Sequence, residues 1–140
     1  MHTILVRAAT PERIVVLGQF LRFGVVGTAG FLVDTAVVYA LRGWLGLYGA
    51  GAVSFLVAAS ANWLLNRLWT FRGQGSGPAH RQWALFMLTN LLGFVLNRGS
   101  YGVLVTVSPV CAENPVLAVA AGSLAGMFAN FSLSRRLVFR

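Results

Sequence analysis

The stretch from Gly43 to Asn66, GWLGLYGAGAVSFLVAASANWLLN, decides the fold because it contains no charged side chain over 24 residues. An α-helix needs about 20 apolar residues to cross the roughly 30 Å hydrocarbon core of a bilayer. This run therefore predicts a transmembrane helix. A second uncharged run, from Asn114 to Ser134, predicts another.

Two further apolar runs are each interrupted by a single charge. Asp34 lies within residues 23–41, and Arg98 lies within residues 83–107. The whole chain is 57% apolar and 10% charged, whereas soluble domains carry roughly 25% charged residues. We therefore expect an all-α membrane protein with four transmembrane helices, near residues 23–41, 48–66, 84–106 and 116–134.

The first apolar run is expected to be a retained helix rather than a cleaved signal peptide, since 22 residues precede it, it contains Asp34 and no small-residue cleavage site is evident. Residues 1–22 are predicted to form a cytoplasmic N-terminal segment, and residues 23–140 the transmembrane domain. Thr10 and Pro11 resemble a helix start, with Thr as N-cap and Pro in the first helical position. Residues 13–23 are suited to an amphipathic helix on the inner membrane surface.

Arginine supplies all 11 basic residues, and its distribution predicts the orientation. Positive residues near the ends of spans stay in the cytoplasm. Nine arginines fall on one side of the expected spans: Arg7, Arg13, Arg22, Arg67, Arg72, Arg81, Arg135, Arg136 and Arg140. The other side carries Arg42 and Glu113. The N-terminus, the middle loop and the C-terminus are therefore predicted to be cytoplasmic.

The second and fourth expected helices end alike. The segment NWLLNRLWTF, Asn62 to Phe71, is matched 68 positions later by NFSLSRRLVF, Asn130 to Phe139. The first and third helices match at an offset of 63, at Gly27/Asn90, Gly30/Gly93, Phe31/Phe94 and Asp34/Asn97. Each unit contains two crossings, so the fold is predicted to be two parallel helical-hairpin repeats rather than inverted ones.

Small and polar side chains follow one face of each expected helix: Gly27, Gly30 and Asp34; Ser54, Ala58, Asn62 and Asn66; Asn90, Gly93 and Asn97; Gly122, Gly126, Asn130 and Ser134. Small residues at this spacing let helices approach closely, and Asn hydrogen-bonds across them. We expect the four stripes to meet in the interior. Helix packing alone would explain them, a polar substrate pathway would use the same residues, and the two interpretations are compatible.

Asp34 and Arg98 are expected to face a partner or a cavity, because a charge at membrane depth costs about 2.5–3.5 kcal/mol. At about 1.5 Å of rise per residue the two lie at similar depth, so an ion pair or a shared cavity is one expectation. Arg98 is about 100° around the helix from Asn97, so extension toward the outer head groups is the alternative. Asp34 would suit a proton site, and Arg98 a phosphate site.

A second polar group lies at the inner edge of the expected bundle, where asparagines and arginines end the second and fourth helices. Such a cluster suits an anionic lipid head group, although anchoring by the positive-inside rule alone would explain the arginines. The candidate substrate-binding residues are therefore Asp34, Arg98, Asn97, Asn90, Asn62, Asn66, Arg67, Asn130, Arg135 and Arg22.

No set of catalytic residues appears in the sequence. We find no paired-carboxylate site, no Ser/His/Asp set and no phosphate-binding glycine loop, so we expect no enzyme activity. The lone Cys111 forms no internal disulfide, and there is no Cys/His cluster for a metal. The arginines form no single basic stripe, so nucleic-acid binding is not expected either. No cofactor is predicted.

Several motifs together resemble a GtrA-like protein over residues 19–140. They are Leu21-Arg22-Phe23-x-x-Val26-Gly27, the acid Asp34 eleven residues after that Phe, the Asn62–Phe71 segment and the weaker Asn130–Phe139 segment, where Ser134 replaces the expected Asn. The resemblance implies a role in cell-surface polysaccharide synthesis. It implies flipping of a polyprenyl-phosphate-linked sugar across a bacterial or archaeal cytoplasmic membrane, for a glycosyltransferase that acts outside.

Two other functions are compatible with the sequence. The first is a small proton-coupled multidrug-type exporter with Asp34 as its proton site, although Arg98 at the same depth and the one-sided arginines disfavour it. The second is a non-transporting scaffold that anchors a glycosyltransferase. Four short helices leave little room for a closed pathway, so a homo-oligomer is also expected to be compatible.

Overall fold

The computed structural model describes residues 10–75 and 77–140, and throughout these ranges the regular structure is helical. The predicted all-α class is thus confirmed. The elements are α1 (Pro11–Leu65), a first π-helical turn (Asn66–Thr70), α2 (Ala79–Val107), α3 (Pro109–Glu113), α4 (Pro115–Leu133) and a second π-helical turn (Ser134–Val138).

Helix α1 is bent at Gly46, whose backbone is not helical (φ 70°, ψ 176°). A positive φ of this size is open to glycine and strained for other residues, so this glycine ends one arm and starts the next. The first arm covers residues 11–45 and the second covers residues 47–65. The arms run antiparallel, since Gly30 and Asn62, equally distant from Gly46, lie in contact.

The first arm begins at Pro11 after an extended Thr10 and continues without a break through the segment suited to an interfacial helix. That segment is therefore not a separate element. The predicted span of residues 23–41 is correspondingly shorter than the observed arm. A bilayer requires only about 20 apolar residues, whereas a helix continues until a helix breaker intervenes.

Helices α2 and α4 form a second antiparallel hairpin around the short α3. Pro109 and Pro115 each start a helix, and the Oγ of Ser108 accepts a 3.4 Å hydrogen bond from the backbone N–H of Cys111. The two long helices approach very closely. A Cβ built on Gly126 would lie 2.9 Å from the carbonyl oxygen of Gly93.

The two hairpins meet at the end where both π-helical turns lie. In each turn the N–H of the following Phe bonds to a carbonyl five residues earlier: Phe71 to Asn66 (2.8 Å) and Phe139 to Ser134 (2.9 Å). The buried rings of Phe71 and Phe139 stack with centroids 4.7 Å apart and planes 15° apart. Phe23, Phe86 and Phe131 surround this stack.

Two helical stretches are long and apolar enough to cross a membrane, Pro11–Thr70 and Pro115–Val138. Only 11% and 22% of their most apolar segments are buried, so their apolar side chains point outward. An outward surface of this kind suits lipid rather than water. Helix α2 has a lower mean hydropathy than α1 and α4, because Asn90, Asn97 and Arg98 interrupt it.

Replacing Gly93 by Ala should destabilise the second hairpin, because the new Cβ would overlap the amide of Asn130. Overpacking of this kind typically costs about 1–3 kcal/mol. Gly102→Ala, on the same helix, meets no atom within 4 Å and is the matched control. Thermal unfolding of detergent-purified protein, followed by tryptophan fluorescence, should show a lower Tm for the first variant alone. Equal Tm values for both variants would contradict the close approach.

Candidate functional site

A cavity of about 670 Å³ lies between the two hairpins. Five asparagines line it, each from the predicted set: Asn62, Asn66, Asn90, Asn97 and Asn130. The first arm adds Gly24, Gly27, Thr28 and Phe31, so both arms of α1, α2 and α4 all contribute. The structure thus brings together half of the predicted site residues, and it does so between helices, as the polar stripes predicted.

The asparagine amides in this cavity are only partly satisfied. The Oδ1 atoms of Asn62, Asn66 and Asn130 are buried and have no hydrogen-bond partner. Asn66 as a whole residue is only 1% exposed. A buried polar group without a partner typically costs about 1–3 kcal/mol. Asn90 differs, because its Nδ2 donates to the carbonyl of Phe86 at 2.8 Å. Three buried amide oxygens between the helices therefore lack a hydrogen-bond donor within the described residues.

Two glycines set the positions of these amides. The amide of Asn62 lies on Gly30, and that of Asn130 lies on Gly93, so closely that a Cβ on either glycine would overlap it. Gly30 and Gly93 are 63 positions apart, and the asparagines are 68 apart, which are the two offsets seen in the sequence. In each case the amide atom nearest to the glycine is the buried Oδ1, so each asparagine is held against the neighbouring helix.

Arg67 and Arg135 lie in the two π-helical turns, outside the cavity lining. The Nη1 of Arg67 donates to Oε1 of Gln82 at 3.0 Å, and the Nε of Arg135 donates to Oε1 of Gln19 at 3.1 Å. Both glutamines are over nine-tenths buried. Because each glutamine lies in one hairpin and its arginine in the other, the bonds join the two hairpins.

Gln19 and Gln82 were absent from the predicted set, although they are 63 positions apart and so follow the same offset as the glycines. Extending the repeat upstream of Gly27 would have found them. Gln82 also accepts from Nε1 of Trp63 at 3.1 Å and donates to the carbonyl of Val138 at 3.4 Å. Gln82 and Gln19 therefore position Arg67 and Arg135.

The arginines border two open clefts. Arg135 shares a cleft of about 790 Å³ with Gln74, Arg136 and Arg140. Arg22 borders a smaller cleft, of about 430 Å³, and its guanidinium lies 5.7 Å from the ring centroid of Trp69. The end of the molecule that contains the two π-helical turns therefore carries exposed cations beside, and not within, the asparagine cavity.

Asp34 and Arg98 are not brought together. In the described ranges no Arg nitrogen lies within 4.0 Å of a carboxylate oxygen, and neither residue lines the asparagine cavity. The exposed Arg98 guanidinium instead lies 5.6 Å from the ring centroid of Phe94. The expected ion pair or shared cavity is therefore not formed, because Arg98 leaves α2 one position beyond the face that carries Asn97.

Comparison with known proteins gives one clear match. The sequence model of a family described as "GtrA/DPMS, transmembrane domain" matches residues 22–140. The match contains all ten predicted site residues and both hairpins from Arg22 onward. No curated protein matches significantly.

Replacing Asn66 by Leu should leave the Tm unchanged or raise it, because a buried amide oxygen without a partner is lost. Gln82→Leu is the matched control, since it removes the bonds to Trp63, Arg67 and Val138. We expect the control to lower stability by about 1–3 kcal/mol. Unfolding in detergent measures both, and an equal loss of Tm in the two variants would mean that Asn66 serves stability.

Proposed function

Because the chain belongs to the GtrA/DPMS transmembrane-domain family, whose members are membrane proteins of glycosyl-lipid related processes, we propose that it flips a polyprenyl-phosphate-linked sugar across the cytoplasmic membrane. The sugar would then serve cell-surface polysaccharide synthesis. The observation that carries this proposal is the asparagine cavity with arginines at its inner edge. A sugar phosphate needs hydroxyl partners and a phosphate partner side by side, and the site offers both.

We further propose that the chain crosses the membrane four times, as two copies of one hairpin. The two arms of α1, with α2 and α4, would be the crossings. With 19 residues, α4 is about 28 Å long, close to the hydrocarbon thickness. Equivalent contacts recur in both hairpins, such as Phe23 with Phe71 (6.4 Å) and Phe86 with Phe139 (6.2 Å), which supports the duplication.

In this mechanism the lipid phosphate would load at the inner arginines. The planar guanidinium of Arg135 is suited to phosphate. An apolar groove of about 1090 Å³, which includes Phe20, Phe128 and Arg135, would receive the first isoprenyl units. The sugar would enter the asparagine cavity while the rest of the chain remains in lipid. No bond is made or broken, so the protein would be a transporter and not an enzyme.

The other two functions receive less support. A proton-coupled exporter would need Asp34 in the pathway, and Asp34 does not line the cavity. A scaffold for a glycosyltransferase would not need a cavity of about 670 Å³ lined by five asparagines between its helices. A membrane glycosyltransferase remains the expected partner, and a homo-oligomer is compatible with the outward-facing apolar helices.

Purified protein in proteoliposomes should move a fluorescent polyprenyl-phosphate sugar between leaflets without a partner. Arg67→Gln and Arg135→Gln should each slow the movement by about tenfold or more, since a phosphate partner is lost. Arg42→Gln, at the bend of α1, is the control and should match the wild type. Failure of the wild-type protein to move lipid would favour the scaffold. Full transport by Asp34→Ala and Arg98→Ala would remove both residues from the site.

The proposed orientation puts both termini and the loop before α2 in the cytoplasm, and α3 outside. Cys111 is the single cysteine and lies in α3, partly exposed. A membrane-impermeant maleimide should therefore label Cys111 in intact cells. In a Cys111→Ala background, Gly77→Cys should be labelled only after the cells are permeabilised. The reverse pattern would overturn the orientation.

A further inference from the structure

We propose that Gln19 and Gln82 form two equivalent latches, each a hydrogen bond from an arginine of one hairpin to a glutamine of the other, and that a lipid phosphate opens them. It does so by taking Arg67 and Arg135 away from the glutamines. The proposal rests on the proposed function, in which the phosphate loads at these arginines. It adds a consequence that loading alone does not require, since phosphate binding parts the two hairpins at the end that contains the π-helical turns.

The two latches are related by the internal duplication. The Nε of Arg135 donates to Oε1 of Gln19 at 3.1 Å, and the Nη1 of Arg67 donates to Oε1 of Gln82 at 3.0 Å. The glutamines are 63 positions apart and the arginines 68, which are the offsets that relate the two hairpins. Exchanging the hairpins therefore turns one latch into the other. A bond that is present in both directions is a feature of the duplicated fold and not an isolated surface contact.

The side-chain hydrogen bonds between the hairpins lie toward one end of the molecule. Besides the two latches, those that join the hairpins within the described residues run from Trp63 to Gln82 at 3.1 Å and from Trp83 to Ser60 at 2.9 Å. Apolar contacts gain little in lipid, where hydrogen bonds and close packing hold helices together. The latches therefore contribute strongly to closing this end.

Aromatic rings separate the latches from the asparagine cavity. Phe139 lines the open cleft beside Arg135, and Phe23 lines the cavity. Phe71 lies between these two rings, with its centroid 4.7 Å from that of Phe139 and 6.4 Å from that of Phe23. Because Phe71 and Phe139 belong to different hairpins, parting of the hairpins breaks their stack. Release of the latches therefore opens the cavity toward the arginine that holds the phosphate.

Phosphate is a stronger partner than an amide oxygen for both arginines. Its oxygens carry charge, and its shape allows two parallel hydrogen bonds to one planar guanidinium. Gln19 and Gln82 each offer one neutral oxygen instead. Arg135 is exposed and Arg67 is partly exposed, so a phosphate reaches both from outside the bundle. The exchange of partners therefore favours the phosphate.

Loss of the arginine has a consequence for the glutamine. Gln19 is 7% exposed, its Nε2 donates to Gln74 at 3.2 Å, and its Oε1 is the acceptor for Arg135. A buried acceptor that loses its donor is costly, and water removes that cost once the hairpins part. Phosphate binding and opening are coupled in this way. Gln82 retains Trp63 as a donor, so the latch at Gln19 is the more sensitive of the two.

Two substitutions of Gln19 change its latch in opposite directions. Gln19→Leu removes the oxygen that competes with phosphate and should tighten the binding of a short-chain isoprenyl phosphate by about fivefold or more. Gln19→Glu provides a carboxylate that holds Arg135 more strongly, and it should weaken binding by a similar factor. Equilibrium binding to the full chain in detergent measures both, with the matching isoprenol as the probe without phosphate.

The sign of the first effect decides the matter. If Gln19 only positioned Arg135 for phosphate, Gln19→Leu would weaken binding, and that result would overturn the proposal. Absence of phosphate binding in every variant would overturn it as well. Thr106→Val is the control and should bind as the wild type does, because it removes a side-chain bond within α2 and none between the hairpins. Gln19→Met replaces Gln19→Leu if the latter does not accumulate.

Opening itself is measured by the distance between spin labels on the two π-helical turns. The labels are attached at Leu68→Cys and Leu137→Cys in a Cys111→Ala background, since both leucines are exposed and neither belongs to a latch. The isoprenyl phosphate should shift this distance to longer values, and the isoprenol should not. Gln19→Leu should lengthen it without phosphate. Labels at Leu88→Cys and Leu137→Cys, both in the second hairpin, are the control and should keep one distance. An unchanged distance with phosphate bound would overturn the release of the latches.

Transport separates the latches from the proposed function. Opening in response to phosphate, without movement of lipid between leaflets, would keep the latches and reject the flippase. Movement of lipid by a protein whose hairpins stay together would keep the flippase and reject the latches. The two proposals therefore fail in different measurements.

Discussion

Each hairpin is closed by one type of contact, an asparagine amide that lies directly on the backbone of a glycine. Gly30 receives Asn62, and Gly93 receives Asn130. In lipid, apolar side chains gain little by leaving the solvent for one another, so helices associate through close packing and polar contacts. A larger residue than glycine would separate the helices and withdraw the amide. The spacing of the helices and the width of the cavity both depend on this contact.

The sequence predicted the helical class and the polar interior, because these depend on local composition. Gly46 lies between the first two predicted spans, and the five asparagines recur at helical spacing. The relation between Asp34 and Arg98 could not be predicted in the same way. Depth along a helix follows from residue number, but the direction of a long side chain depends on its neighbours, and Phe94 holds Arg98 elsewhere.

Gln19 and Gln82 were not predicted as site residues for a related reason. Gln19 and Gln82 precede the apolar runs and look like ordinary polar residues at a membrane surface. Their role is visible only when the opposite hairpin is in place, because each bonds to an arginine that is far away in sequence. Burial changes what these glutamines do. A glutamine in water contributes little to the position of its neighbours, whereas a buried glutamine with several hydrogen-bond partners fixes a charged side chain in one position.

Both π-helical turns contain one residue more per turn than an α-helix would need. That extra residue brings Phe71 and Phe139 into the stack between the hairpins. Loss of a single residue from either turn would convert it to an ordinary α-helical ending and rotate the aromatic ring by about 100°. Helix ends usually tolerate changes in chain length, whereas a change in either of these would move a ring out of the stack. Among natural variants of this sequence, the number of residues from Asn62 to Phe71, and from Asn130 to Phe139, should vary far less than the residues themselves.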